Sequence, residues 1–375
     1  MYKQTEMLRS AVTATLGQTY TVDLPKSGTL SAIQLHLSAN CTSNAGLTLP
    51  KWRLIDFITK VEIIGNGATV IKSLDGKQLQ YLFFKHMNKV PPHFWRQYGE
   101  STQMEYIPIL FGRDFFDETF GLDLSKWDNV ELRVTNDGSA TYYSTNITLS
   151  IMLNWCRELA GGFNGYIRGE TWREWATVQN AWTYLIMPSE FPIVTLALRA
   201  LPHVTGGMSD TGFHNLLYDI EFSMGGGVKK LFDGRLADLI IQNYLDEDGE
   251  VFTSGETYAN ADLGQDTAVG RMFGWATAIG SKSGAAMTTH ATMIADATDN
   301  TISFEEHDAA GPYEWIVRGM GYWNMATLWF AHELSPDKLL DPKVVGDVLL
   351  NLHVRDAAAS AAGTNTVVLE RLVGR

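Results

Sequence analysis

Val61-Glu62-Ile63-Ile64-Gly65-Asn66-Gly67, then Val70-Ile71-Lys72, Asp75-Gly76 and Leu79-Gln80-Tyr81-Leu82-Phe83, reads as a strand, a glycine turn, a short strand and a capped helix. Glycine reaches positive φ at no steric cost, as a tight hairpin requires. Asp75 is placed to accept a hydrogen bond from the first turn of the following helix. Leu79, Leu82 and Phe83, at spacing i, i+3, i+4, give that helix one apolar stripe. The same order recurs as Ile220-Glu221-Phe222-Ser223-Met224-Gly225-Gly226-Gly227, Val228-Lys229-Lys230, Asp233-Gly234, then Leu236, Leu239 and Ile240. Asp233 takes the cap position in this second copy. The shift from Glu62 to Glu221 is 159 residues and from Asp75 to Asp233 it is 158. One strand–turn–helix is a weak signal; two with matching caps indicate a duplicated unit.

Working outward, the strand pattern Thr19–Pro25 matches Thr183–Pro188, and Leu35, Leu37 and Ala39 match Leu196, Leu198 and Ala200 with period 2. Met104–Phe111 reads as a further strand. Leu122–Lys126 leading into Val130–Val134 matches Leu340–Lys343 leading into Leu350–Val354, but the shift from Leu132 to Leu352 has grown to 220. The second copy therefore carries an insertion of about 60 residues, expected as a long solvated loop at 246–312. Ser144–Trp155 closes the first copy and Thr364–Val373 the second. Residues 158–174, containing Gly161-Gly162, read as the connector. Residues 1–16 read as a short N-terminal helix or arm, with Leu8, Val12 and Leu16 on one face. Short strands, one helix per copy and Gly/Asn/Asp turns predict an all-β fold: two tandem β-sandwiches, at 17–160 and 175–375, each with a short flanking helix.

A chain of 375 residues with 45% apolar and 19% charged residues has ample material for two cores. Its net charge of −13 argues against a surface that grips nucleic acid, which needs basic clusters. The 246–312 segment holds twelve acidic residues against Arg271 and Lys282, so that most of the excess negative charge lies there and is expected to face water or cations. Its small, apolar-leaning middle, Thr267–Ala297, is expected to pack against neighbouring subunits. Cys41 and Cys156 have no CxxC partner and read as free core thiols. No secretion signal opens the sequence, and no run of about 18 apolar residues offers a transmembrane span.

The paired strand–turn–strand–Asp-Gly–helix units, the Ile107-Pro108-Ile109-Leu110-Phe111-Gly112-Arg113 strand and the Leu122-Asp123-Leu124 to Val134 segment resemble the double jelly-roll major capsid proteins of tailless icosahedral viruses, many of which enclose a membrane. The resemblance covers nearly the whole chain. It implies two jelly rolls standing upright in a shell, and homotrimers of pseudo-hexagonal outline that tile it. It further implies loop towers on the outer face and chain ends on the inner face. Expected partners are other copies of the chain and neighbouring capsomers, penton and minor capsid proteins, and an internal membrane; a sequence-specific nucleic-acid partner is not expected. The expected location is the virion.

None of the motifs that could carry chemistry is complete. His86 and His93 are seven apart with no nearby cysteine, a poor metal pair. Glu305-Glu306-His307-Asp308 and Asp246-Glu247-Asp248-Gly249-Glu250 are acidic turns without the calcium-loop spacing. Gly280-Ser281-Lys282-Ser283-Gly284 has Lys282 where a nucleophile elbow needs serine. Gly225–Gly227 before Lys229-Lys230 lacks the phosphate-loop pattern. Asn40-Cys41-Thr42 and Asn146-Ile147-Thr148 match the glycan acceptor rule by chance. The eleven tryptophans read mainly as core and subunit-contact residues. No catalytic, cofactor or metal residue is assigned, and the reading is a structural protein without enzymatic activity. The rival is a two-domain β-sandwich carbohydrate binder or glycosidase using exposed Trp and a carboxylate pair; a secreted adhesin is a third, disfavoured by the missing signal.

Overall fold

The computed structural model describes residues 1–42, 53–97, 101–159, 161–178, 180–201, 204–205, 208–209, 217–246, 251–259, 275–283, 292–296, 301–305, 311–330, 339–354 and 363–374. The first half holds strands β1 (Tyr2–Ala14), β2 (Thr19–Asp23), β3 (Thr29–Asn40), β4 (Ile58–Gly65) and β5 (Thr69–Leu74), helix α1 (Gly76–Met87), then β6 (His93–Gln97), β7 (Thr102–Leu110), β8 (Leu122–Asp123), β9 (Val130–Asn136) and β10 (Ile147–Arg157). The second begins with β11 (Tyr166–Ala176), β12 (Ala181–Ile186), β13 (Ile193–Leu201), β14 (Val204–Thr205), β15 (Met208–Ser209), β16 (Asp219–Met224), β17 (Lys229–Gly234) and helix α2 (Leu236–Asp246). It continues with β18 (Val251–Ala259), β19 (Trp275–Ser283), β20 (Thr292–Asp296), β21 (Thr301–Glu305), β22 (Gly311–Met320), β23 (Met325–Trp329), β24 (Val348–Val354) and β25 (Thr364–Val373).

The strand order repeats. In the first half β1-β10-β3-β7 lie side by side and β2-β9-β4-β5 form the facing row; in the second the rows are β11-β25-β13-β23 and β12-β24-β16-β17. The registers repeat too. Leu35 lies opposite Ile151 as Leu196 lies opposite Leu369, and Ile63 lies opposite Leu132 as Phe222 lies opposite Leu350. Strands with one face outward show it by alternation. Val130, Leu132 and Val134 are buried in β9 while Glu131, Arg133 and Thr135 are not, and Val348, Leu350, Leu352 and Val354 do the same in β24. One large core fills the first sandwich and a second core the other.

The two sandwiches share a sheet. β5 and β11 pair in parallel, Lys72 beside Gly169 and Ser73 beside Glu170, which makes β2-β9-β4-β5-β11-β25-β13-β23 one continuous sheet. A Cβ on Gly169 would come within 3.1 Å of the Lys72 side chain, so the missing side chain lets the lysine cross the junction.

Several expectations are corrected. Residues 2–14 are an edge strand paired with β10, not a helix. Leu8 and Val12 do share the core-facing side, but a spacing of four is even and therefore also suits a period-2 strand. The connector is shorter than 158–174, because β11 already begins at Tyr166. Asp233 does not cap α2: it lies within β17, opposite Glu221, and Arg235 precedes the helix. The Leu239 N–H bonds the Arg235 carbonyl as the Leu79 N–H bonds that of Asp75, so Arg235 is the positional match of Asp75. Gly65 is not at positive φ; the turn uses Asn66 and Gly67. Nor is 246–312 loop throughout. β18, β19 and β22 form a three-stranded ribbon, and β18 joins the first sandwich's sheet in parallel with β6, with Gly255 beside Trp95. The side chains of its middle, Thr267–Ala297, lie outside the described residues.

Candidate functional site

The chain's most elaborate polar construction is the seam between the sandwiches. Five elements build it: β5 and α1 from the first half, β11, β13 and β25 from the second. Glu370 of β25 accepts from Lys72 Nζ at 3.3 Å and pairs with His86 Nε2 at 2.8 Å, and all three side chains are at most 3% exposed. Burial works to raise the Glu370 carboxyl, but His86 and Lys72 together hold it down at about 2. Burial pushes the Lys72 ammonium down against the opposing pull of Glu370. Asp75 receives the Gln78 N–H at 2.7 Å, the predicted cap, and its other oxygen pairs with Arg199 of β13. Gln78 in turn accepts from the Asp75 N–H at 2.9 Å and from Thr171 Oγ1 of β11 at 2.9 Å.

A second cluster lies deeper. Gln80 of α1 donates to Glu105 Oε2 at 3.1 Å and to the Tyr106 carbonyl at 2.8 Å, and accepts from the Trp323 indole at 3.0 Å. The Trp95 indole donates to the other Glu105 oxygen. Arg53 lies over both the Trp95 and Trp323 rings, its guanidinium carbon 5.4 and 4.9 Å from their centroids. Burial pushes Glu105 up to about 8, although the Trp95 and Gln80 hydrogen bonds and the Arg53 charge pull the other way. Trp323 enters this socket from the second half on a left-handed turn, with positive φ at Gly321, Trp323 and Asn324. Tyr81 of α1 and Thr327 of β23 share a hydroxyl–hydroxyl hydrogen bond beside it. These groups are engaged with one another, so the arrangement fastens two sandwiches rather than activating a nucleophile. Sequence reading missed it, because its partners are remote: Lys72 and Glu370 are 298 residues apart.

The residues able to carry chemistry are dispersed. His86 belongs to the seam, whereas His93 stacks on Trp95 with ring centroids 3.8 Å apart. Cys41 and Cys156 are both buried and free. Asp246 ends α2, while 247–250 and 306–310 lie outside the described residues. Among the described residues no group of three or more His, Cys, Asp or Glu is placed to hold a metal, and no helix is long and apolar enough to cross a membrane.

The outer faces of the two sandwiches differ in chemistry. On β12, Trp182, Tyr184 and Ile186 point outward with exposures of 43, 69 and 69%. Trp182 stacks against Tyr184 and against His353 of β24. By register the same places on β2 hold Thr19, Thr21 and Asp23. The second sandwich thus presents an apolar ridge where the first is polar.

No family model matches the sequence, and no curated protein is recognisably similar to it. Solved structures do match. The crystal structure of the STIV MCP superposes with a TM-score of 0.61 at 10% identity, over 99% of this chain and 96% of that one. The major capsid protein of bacteriophage PM2 gives 0.53 at 11% identity, over 100% and 99%. The PBCV-1 virus capsid gives 0.50 at 10% identity, over 99% and 93%. The protein has the double jelly-roll fold. At such low identity the likeness is one of fold, and it runs from end to end. The double jelly roll also accounts for the repeated rows: each sandwich folds its eight strands into the same two facing sheets, and the flanking helix α1 or α2 follows the fifth strand of each.

Proposed function

We propose that this double jelly roll is a viral major capsid protein, a structural subunit without catalytic activity. It forms homotrimers of pseudo-hexagonal outline that tile an icosahedral shell, and its place is the virion. The observation that carries the reading is the end-to-end match of both jelly rolls to major capsid proteins, with almost no length left over on either side. The apolar ridge of Trp182, Tyr184 and Ile186 supports self-association, because such a patch is costly to leave in water. On this reading the other partners are neighbouring capsomers and penton and minor capsid proteins, with a membrane beneath the shell. The test is the mass of the purified chain by sedimentation at micromolar concentration, followed by electron microscopy of any assemblies. A trimer or closed shells are expected; a well-folded monomer overturns the proposal.

A further inference from the structure

The strand order leaves β1 at the end of one sheet and β17 at the end of another. Their counterparts in the duplication are β11 and β5, the two strands that join in parallel at the seam. The same pair of edges is thus present twice: joined once within the chain and, among the described residues, left open once. Open edges offer unpaired backbone groups that a folded protein covers or blunts. We infer that β17 of one copy adds to β1 of a second copy, repeating between chains the junction that β5 and β11 make within one. The inference rests on the self-association proposed above and assigns it a surface.

The registers fix which residues meet. Ile151 lies opposite Leu35 as Leu369 lies opposite Leu196, so Met152 stands where Glu370 stands. Met7, opposite Met152, stands where Gly169 stands. Ile63 lies opposite Lys72 as Phe222 lies opposite Phe232, so Phe232 stands in the place of Lys72. Repeating the Lys72–Gly169 contact between chains brings Phe232 beside Met7, with Met152 adjoining. Repeating the Ser73–Glu170 contact brings Asp233 beside Arg9. The buried Lys72–Glu370 pair of the internal seam is thus replaced by two thioethers and an aromatic ring, a favourable set, flanked by one pair of opposite charge.

Exposure agrees. Met7 is 48% and Leu231 of β17 42% exposed, while Arg9 and Asp233 are both exposed. Among the described residues Asp233 pairs with Lys230 of its own strand, at 2.6 Å and in solvent. Helix α2 tells the same story. Its Ile241 and Leu245 occupy the places of Tyr81 and Lys85 on α1, and Tyr81 bonds across the seam, yet Ile241 and Leu245 are 40 and 73% exposed. The occupant is a second copy because one sequence supplies both complementary edges, giving a head-to-tail contact that closes into a ring when its rotation allows.

The experiment is a directed cross-link. Adjacent strands lie ~4.8 Å apart, within reach of a disulfide. A Met7→Cys chain co-expressed with a Phe232→Cys chain and oxidised is expected to give a covalent dimer on non-reducing electrophoresis, with little from either chain alone. Arg9→Glu and Asp233→Arg are each expected to weaken association about tenfold or more, and the two together to restore it. If the unmodified chain associates in sedimentation but the mixed pair gives no covalent dimer, or the double reversal restores nothing, this surface is wrong and self-association stands. If the unmodified chain is a monomer, the capsid reading falls with it.

Discussion

Glu105 is a carboxyl buried beside an indole, an amide and a guanidinium, and it is neutral through most of the physiological range. Its folded pKa of about 8 lies above the ordinary 4.5. Below about pH 4.5 the group is protonated whether the chain is folded or not, and its contribution to stability is fully present. As pH rises from there through 8, the unfolded chain ionises where the folded one resists, and that contribution is lost. Burial also pushes Lys85 down to about 7 against the pull of Asp246, so a second group titrates in the same window. Comparison with Glu105→Gln therefore isolates the carboxyl. The variant is expected to be about 1–3 kcal/mol less stable at pH 5, because its amide meets the Gln80 amide donor to donor. Its melting temperature should fall less steeply than the parent's between pH 5 and 8. Thermal denaturation across that range decides it; parallel profiles would show that Glu105 keeps an ordinary pKa.

At the scale of elements, legibility followed periodicity. β3, β9 and β24 alternate and are legible, as is α1 with its Asp75 cap; β13 is legible from its sequence alternation of Leu196, Leu198 and Ala200, although nearly all of it is buried. β1 was not, because bulges after Met7 and Arg9 and an apolar residue at every fourth position imitate a helix. β11 was hidden for another reason. Its Arg168, Glu170, Arg173 and Glu174 look like a solvated connector, but Glu170 is paired with Arg168 and with Arg371 of the neighbouring strand. No local pattern announces partners two hundred residues away. The hairpin after β4 separates two roles that a glycine run conflates. A Cβ on Gly65 would lie 2.2 Å from the Trp127 ring, whereas Gly67, at φ +72°, has open space around it. Gly67→Ala should cost about 1 kcal/mol through backbone strain alone. Gly65→Ala should cost about 1–3 kcal/mol through overpacking and should shift Trp127 fluorescence as well. Chemical denaturation with emission spectra tests the pair; equal costs with unchanged emission would remove the close-approach explanation.

For the whole molecule, the question is why the internal junction buries a Lys72–Glu370 pair when the matching places on the edge strands hold Phe232 and Met152. Lys72, Glu370 and His86 fill the internal seam, where the matching places on the free edges hold Phe232, Met152 and Asp246. A buried ion pair contributes little net stability over a well-packed apolar pair, yet losing one partner is expensive. On the inferred contact between copies, the pair is expected to act against wrong seating: β17, carrying Phe232 in place of Lys72, would leave Glu370 without its ammonium if it docked beside β11. Two changes at the seam separate stability from this selectivity. Glu370→Leu alone strands the Lys72 ammonium in a dry site and should cost about 3–5 kcal/mol. Adding Lys72→Met should recover most of that loss, since two apolar side chains then meet across β5 and β25 and no ammonium is left stranded. The double variant should nonetheless assemble less uniformly, because its internal seam and its open edges now resemble one another. Urea midpoints measure the first effect, and the spread of species in sedimentation measures the second. A double variant no more stable than Glu370→Leu would mean that the carboxylate holds more than Lys72 and His86; one that recovers stability and also assembles as uniformly as the parent would show that the ionic seam plays no part in telling the two junctions apart.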